Sequence, residues 1–196
     1  MVAYPQPSPR MTPQEYFEID QASEIRHELI DGQIFPLIEI YGMAGASTPH
    51  NHISGNAFGL LHAQLRGKSC APFNQDQRLK VKSLENYYFP DLMVACPPFV
   101  WDDQLQHTLL NPKVIIEVLS VSTEHKDRVA KWFAYQRIES LTDYLMISQT
   151  ERRIEHYSRQ TGGGWHYNTV ENEGEVLLAS IDCKLNLADV YERVAI

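Results

Sequence analysis

The chain has 196 residues, 43% hydrophobic and 21% charged, which fits one soluble globular domain and excludes a low-complexity or disordered chain. Seventeen basic residues against 25 acidic ones leave a formal charge of −8, which argues against a surface that grips nucleic acid by bulk charge alone. No apolar run is long enough to span a bilayer, and the polar, proline-rich stretch Met1–Arg10 has no signal-peptide centre. The expectation is a cytoplasmic protein with no membrane partner.

In chain order, residues 1–11 read as a flexible lead and residues 12–196 as a single domain. Thr12, Pro13 and Glu15 predict a helix start, with Thr12 as cap, Pro13 in the first turn and Glu15 completing a capping box. Ile25–Ile30 and Gln33–Ile40, joined by Asp31-Gly32, predict a β-hairpin, because Asp-Gly tolerates the positive φ of a tight turn. Gly42–Pro49 is a loop, and His50–Arg66 a helix with Ile53, Ala57, Leu60 and Leu61 at helical spacing. Ala71–Val81 and Tyr87–Cys96 read as strands, the second at an edge, bulged or bent at Pro90. Pro97–Pro112 is a long loop.

Lys113–Ser120 is the strongest strand, an almost unbroken apolar run suited to a strand covered on both faces. A helix from Ser122 or Thr123 to about Ile138 and a strand Asp143–Ser148 make it a crossover unit. Arg152–Arg159 and Trp165–Val170 predict a second hairpin, with Val176–Leu178 and a short helix near Ala188–Arg193 closing the chain. The class is α/β (α+β), a mixed β-sheet flanked by helices with N- and C-terminal hairpins. Cys70, Cys96 and Cys183 are odd in number and far apart in sequence, so they read as reduced thiols and not as a disulfide or zinc knuckle. Trp101, Trp132 and Trp165 look scattered.

Glu117 interrupts the strongest apolar strand, and a buried carboxylate is costly unless it is paired or bound to a cation. Asp91 sits inside the apolar segment Phe89–Val94. On neighbouring strands the two acids would converge, and two carboxylates with waters and a backbone carbonyl suit Mg²⁺.

Pro90-Asp91, Glu117-Val118-Leu119-Ser120, Ser122-Thr123, Asp127, Lys131 and Tyr135 together resemble the Uma-type endonuclease family of the PD-(D/E)XK nuclease superfamily. Glu28–Gly32 and Tyr144-Leu145 fit the same pattern, which covers about Thr12 to Val194. The resemblance implies a restriction-endonuclease-like core, Mg²⁺ or Mn²⁺, and cleavage of nucleic acid, with DNA foremost. It makes Asp91 and Glu117 the metal ligands, aided by the backbone carbonyl of Val118, and brings in Glu28 as a candidate third ligand, the alternative being an exposed strand carboxylate. The superfamily's lysine position holds Leu119 here, and the resemblance supplies Lys131 in its place. Helical spacing leaves Lys131 open between that role and a solvated pair with Asp127: Val129, Trp132 and Phe133 read as the apolar face, while Tyr135 and Ile138 share the side of Lys131 and partly cover it as well.

His50 at a helix start reads as a cap, an active-site neighbour or a surface residue, and Asp76 as a structural or substrate-side acid. By analogy with nuclease folds, a homodimer is expected. Leu119 and the acidic total motivate a second reading, a catalytically inactive nuclease-fold binding or assembly protein. A third is a hydrolase of small phosphate compounds.

Overall fold

A computed structural model describes residues 10–37, 47–119 and 127–196, with the backbone alone at 127 and 128. The Gly42–Pro49 loop, the helix cap at Ser122 or Thr123 and most of the N-terminal lead fall wholly or largely outside these residues. Helix α1 (Pro13–Ala22) carries the expected capping box between Thr12 and Glu15. Strands β1 (His27–Ile30) and β2 (Gln33–Pro36) form the first hairpin, and its turn residues Asp31 and Gly32 have φ of 51° and 75°. Met11, last of the lead, is tied down by its amide on the Gly32 carbonyl at 2.8 Å.

The segment Ala71–Val81 is two strands. β3 (Ala71–Asn74) and β4 (Arg78–Val81) are separated by a turn and belong to different sheets. The segment Tyr87–Cys96 divides likewise, into β5 (Asn86–Tyr88) and β6 (Leu92–Ala95), with Pro90 between them. Proline offers no amide to a ladder, and here the chain turns from one sheet into the other. β6 is accordingly an interior strand and not an edge. The expected loop Pro97–Pro112 holds a short strand, β7 (Thr108–Leu109).

A five-stranded sheet runs β2-β1-β5-β4-β7. A six-stranded sheet runs β11-β10-β9-β8-β6-β3, where β8 is Pro112–Leu119, β9 Asp143–Ser148, β10 Arg153–Arg159 and β11 Trp165–Glu171. β8 and β9 are parallel, as a crossover requires, and β6 is antiparallel to β8. A third hairpin pairs β12 (Glu175–Leu178) with β13 (Cys183–Asn186), a strand the sequence reading lacks.

Alternation along β8 explains its apolar run. Val114, Ile116 and Val118 face helix α2 (Thr48–Leu65), the β12–β13 hairpin and the terminal helical turn Leu187–Val190. Ile115 and Leu119 face the five-stranded sheet together with Tyr135, Ile138 and Tyr144. Each fully buried aliphatic side chain contributes about 1.5–3 kcal/mol, so β8 anchors both halves of the core.

Two sequence readings are corrected here. Cys70 and Cys96 form a disulfide, because antiparallel pairing of β3 with β6 places them opposite each other with Cα atoms 4.0 Å apart; only Cys183 is a free thiol. Trp132 and Trp165 are neighbours, ring centroids 5.0 Å apart, in a cluster with Tyr144 and Tyr157. Among the described residues, no helix is long and apolar enough to cross a membrane.

Candidate active site

Asp91 lies at the bend between the two sheets and not within a regular strand. In the β6–β8 ladder the last pair is Leu92 with Ile116, so Asp91 sits just beyond it, beside the Glu117–Val118 end of β8. Because the chain turns away at Pro90, the Val118 amide at that end of β8 finds a side chain instead of a backbone carbonyl. It donates to Asp91 Oδ2 at 2.7 Å. The other oxygen, Oδ1, lies 3.2 Å from His50 Nε2. His50 is in the first turn of α2 and is only 8% exposed, so it is a neighbour of Asp91 and not a surface residue.

Glu117, 3% exposed, is held from the next helical segment. That segment begins with a wide π-helical turn, Asp127–Lys131, and continues as the α-helical turn α3, Trp132–Tyr135. Lys131 Nζ is 3.1 Å from Glu117 Oε1, and the Tyr135 hydroxyl donates to the same oxygen at 2.8 Å. Burial pushes the Tyr135 phenol well above its ordinary pKa, reinforced by the Glu117 and Glu28 charges, so it stays protonated as a donor.

The expected apolar face of this helix is therefore misassigned. Val129 and Phe133 are 60% and 54% exposed, while Tyr135 and Ile138, on the same side as Lys131, are buried. A π turn adds a residue per turn, which moves positions around the axis relative to the 3.6-residue spacing assumed from sequence. Lys131 and Tyr135, four apart, stay together and point inward.

Glu28 completes the group from the five-stranded sheet. It is 6% exposed, which excludes the exposed strand carboxylate. Its Oε1 accepts from the Phe89 amide at 3.2 Å and lies 3.8 Å from Lys131 Nζ. Tyr88 closes the wall, its ring 5.2 Å from that of Tyr135. Burial, opposed by a hydrogen bond from Asn86 and reinforced by Glu28, pushes its phenol up to about 12. Asp76 lies elsewhere, paired with Arg26 at 2.8 Å in an exposed turn. Leu119 is 4% exposed in the apolar cluster and carries no polar group into the site.

Among the described residues, no three His, Cys, Asp or Glu side chains lie together so as to hold a metal ion, so Glu28 does not join Asp91 and Glu117 as the expected third ligand. The carboxylates of Asp91 and Glu117, near the same end of β6 and β8, are hard oxygen donors. Each accepts about four hydrogen or metal bonds, so the contacts above leave capacity. This donor set fits a cation that keeps several of its waters, as Mg²⁺ does.

Residues 13–188 match the family described as "Putative restriction endonuclease", Uma2. Two uncharacterized proteins of Synechocystis sp. are similar. One, slr1290, is 31% identical over 189 residues, covering 96% of this chain and 95% of that protein. The other, sll1609, is 33% identical over 155 residues, covering 79% and 84%. A crystal structure of a protein from Anabaena variabilis, titled a putative nuclease belonging to DUF820, shares the fold with a TM-score of 0.70, over 88% of this chain and 93% of that one, at 14% identity. Matched over residues 13–188, the chain belongs to the Uma2 family of "Putative restriction endonuclease" proteins.

Proposed function

We propose that the chain is a divalent-metal-dependent nuclease that hydrolyses phosphodiester bonds of nucleic acid, with DNA as its substrate. The observation that supports this most is the ammonium of Lys131 on Glu117, with Asp91 on the amide of Val118, the next residue along β8. The arrangement offers both the acids and the lysine of the superfamily's chemistry, although the usual lysine position holds Leu119.

Asp91 and Glu117 would hold Mg²⁺ or Mn²⁺, with the Val118 carbonyl as a further oxygen donor and waters completing the shell. When bound, such a cation activates water and offsets charge on the phosphate. Lys131 donates to the attacking water and to the phosphate oxygen that gains charge as the water–phosphorus bond forms and the ester P–O bond breaks. Tyr135 keeps Glu117 oriented. The buried tyrosine wall keeps bulk water from the Lys131 side, which strengthens each of these contacts. Two copies of the chain about a two-fold axis would bring one such site to each strand of a duplex.

The test is cleavage of labelled DNA and RNA in Mg²⁺ and Mn²⁺ by the wild type and by the Asp91→Ala and Glu117→Ala variants. The expected result is metal-dependent DNA cleavage that both substitutions abolish with circular dichroism unchanged. Cleavage at the wild-type rate by either variant overturns the assignment. One alternative is supported by Leu119 and the net charge of −8: a nuclease fold that binds without cutting. A wild type that retains nucleic acid but leaves it intact across millimolar Mg²⁺ and Mn²⁺ would favour it.

A further inference from the structure

Helix α2 is fastened to the end of β8 twice. Ser47, its cap, donates to Gln149 Oε1 at 2.5 Å, and Gln149 Nε2 donates to the Leu119 carbonyl at 2.8 Å. One helical turn on, His50 reaches Asp91 Oδ1, while Asp91 Oδ2 takes the Val118 amide. The two ties flank Val118. With one oxygen on a backbone amide and the other on an imidazole anchored in a helix, the Asp91 carboxylate has little freedom to rotate. It lies in a bend of the chain, where no regular strand would orient it.

We propose that His50 is a positioning residue for the nuclease reaction, donating from Nε2 to Asp91 Oδ1 and presetting that carboxylate for a divalent cation. The inference rests on the metal-dependent reading above. Glu117 has its own orienting donor, Tyr135, on the opposite face of the six-stranded sheet. The two acids are thus aimed from two different helices. Partners that hydrogen-bond a metal ligand typically govern metal affinity by about 10–100-fold.

The experiment is calorimetric titration of the full chain with Mn²⁺, for the wild type and Asp91→Ala, and for His50→Ala, His50→Phe and His50→Gln. Melting temperatures are recorded without metal. Ala and Phe remove the donor, Phe filling most of the space; Gln keeps a donor of similar reach. The expected result is Mn²⁺ binding by the wild type, none by Asp91→Ala, dissociation constants about 10–100-fold weaker for the Ala and Phe variants, and recovery in His50→Gln. Should the Ala variant fail to fold, the Phe and Gln variants carry the same comparison. Wild-type affinity in a folded donor-less variant overturns the role of His50 alone. Equal losses in the Phe and Gln variants also overturn it, since they would show that shape matters and not the donor. A wild type that binds no Mn²⁺ overturns the metal-dependent reading, and the role of His50 with it.

Discussion

Asp143 at the start of β9 and Glu117 near the end of β8 are both under 5% exposed, on adjacent parallel strands. Their surroundings differ. Asp143 Oδ1 meets His156 Nε2 at 2.8 Å, and Oδ2 accepts from Thr142 and Ser180 at 2.8 and 2.6 Å. Among the described residues, its hydrogen-bond partners are a histidine and two hydroxyls, with no second carboxylate. Burial acts to raise the Asp143 pKa, but the hydrogen bonds from His156, Ser180 and Thr142 outweigh it and hold the carboxyl below its ordinary 3.8. At the other end, Glu117 and Glu28 crowd against the same ammonium, and Asp91 sits on the neighbouring Val118 amide. Like charges gathered in a low-dielectric site repel one another unless a cation is supplied. A buried acid surrounded by neutral donors and histidine serves the fold, whereas several buried acids gathered together mark a place for chemistry.

The contrast is broken most directly by exchanging roles. Glu117→Ala should lose all detectable cleavage while the protein still melts cooperatively; Asp143→Ala should keep its cleavage rate per folded molecule. Lys131→Met should follow with a kcat lower by about 10²–10³-fold, the effect of removing one transition-state donor, and Lys131→Arg should keep part of it. In urea unfolding, Asp143→Ala should cost about 3 kcal/mol, because His156, Thr142 and Ser180 lose their common acceptor.

The smallest effect is on acid stability. A folded-state pKa below the unfolded value means that the unfolded chain binds more protons as pH falls, so Asp143 stabilises the fold above about pH 3.8 and that contribution fades below it. Asp143→Asn should therefore show a shallower loss of melting temperature below pH 4 than the wild type. An identical acid limb in both would remove Asp143 from the account.

Much of this arrangement was legible in the chain itself. The capping box at Thr12, the Asp-Gly turn and the apolar run broken by Glu117 each depend on local chemistry, and each is present. What escaped depended on pairing between distant segments. The disulfide joins cysteines 26 positions apart that meet only because β3 pairs with β6. Glu28 stayed open between a third ligand and an exposed carboxylate because its strand is short and its contacts come from Phe89 and Lys131 elsewhere in the chain. The side of the helix bearing Lys131 stayed open because a π turn shifts the periodicity, although the spacing to Tyr135 and Ile138 already put apolar cover on that side. His50 gave a weaker signal still, since only the bend at Pro90 brings Asp91 under the start of α2.

That bend also joins two mechanical bodies. Glu28 hangs from the five-stranded sheet and Glu117 from the six-stranded one, and the chain passes between them at Phe89-Pro90-Asp91. Sliding one sheet against the other would alter the separation of Glu28 from Glu117 while leaving every ladder within each sheet intact. The geometry of this candidate site is therefore a gauge of how the two sheets dock, and a substitution in the apolar seam between them, far from any carboxylate, would be read out at the site as a change in the spacing of charge.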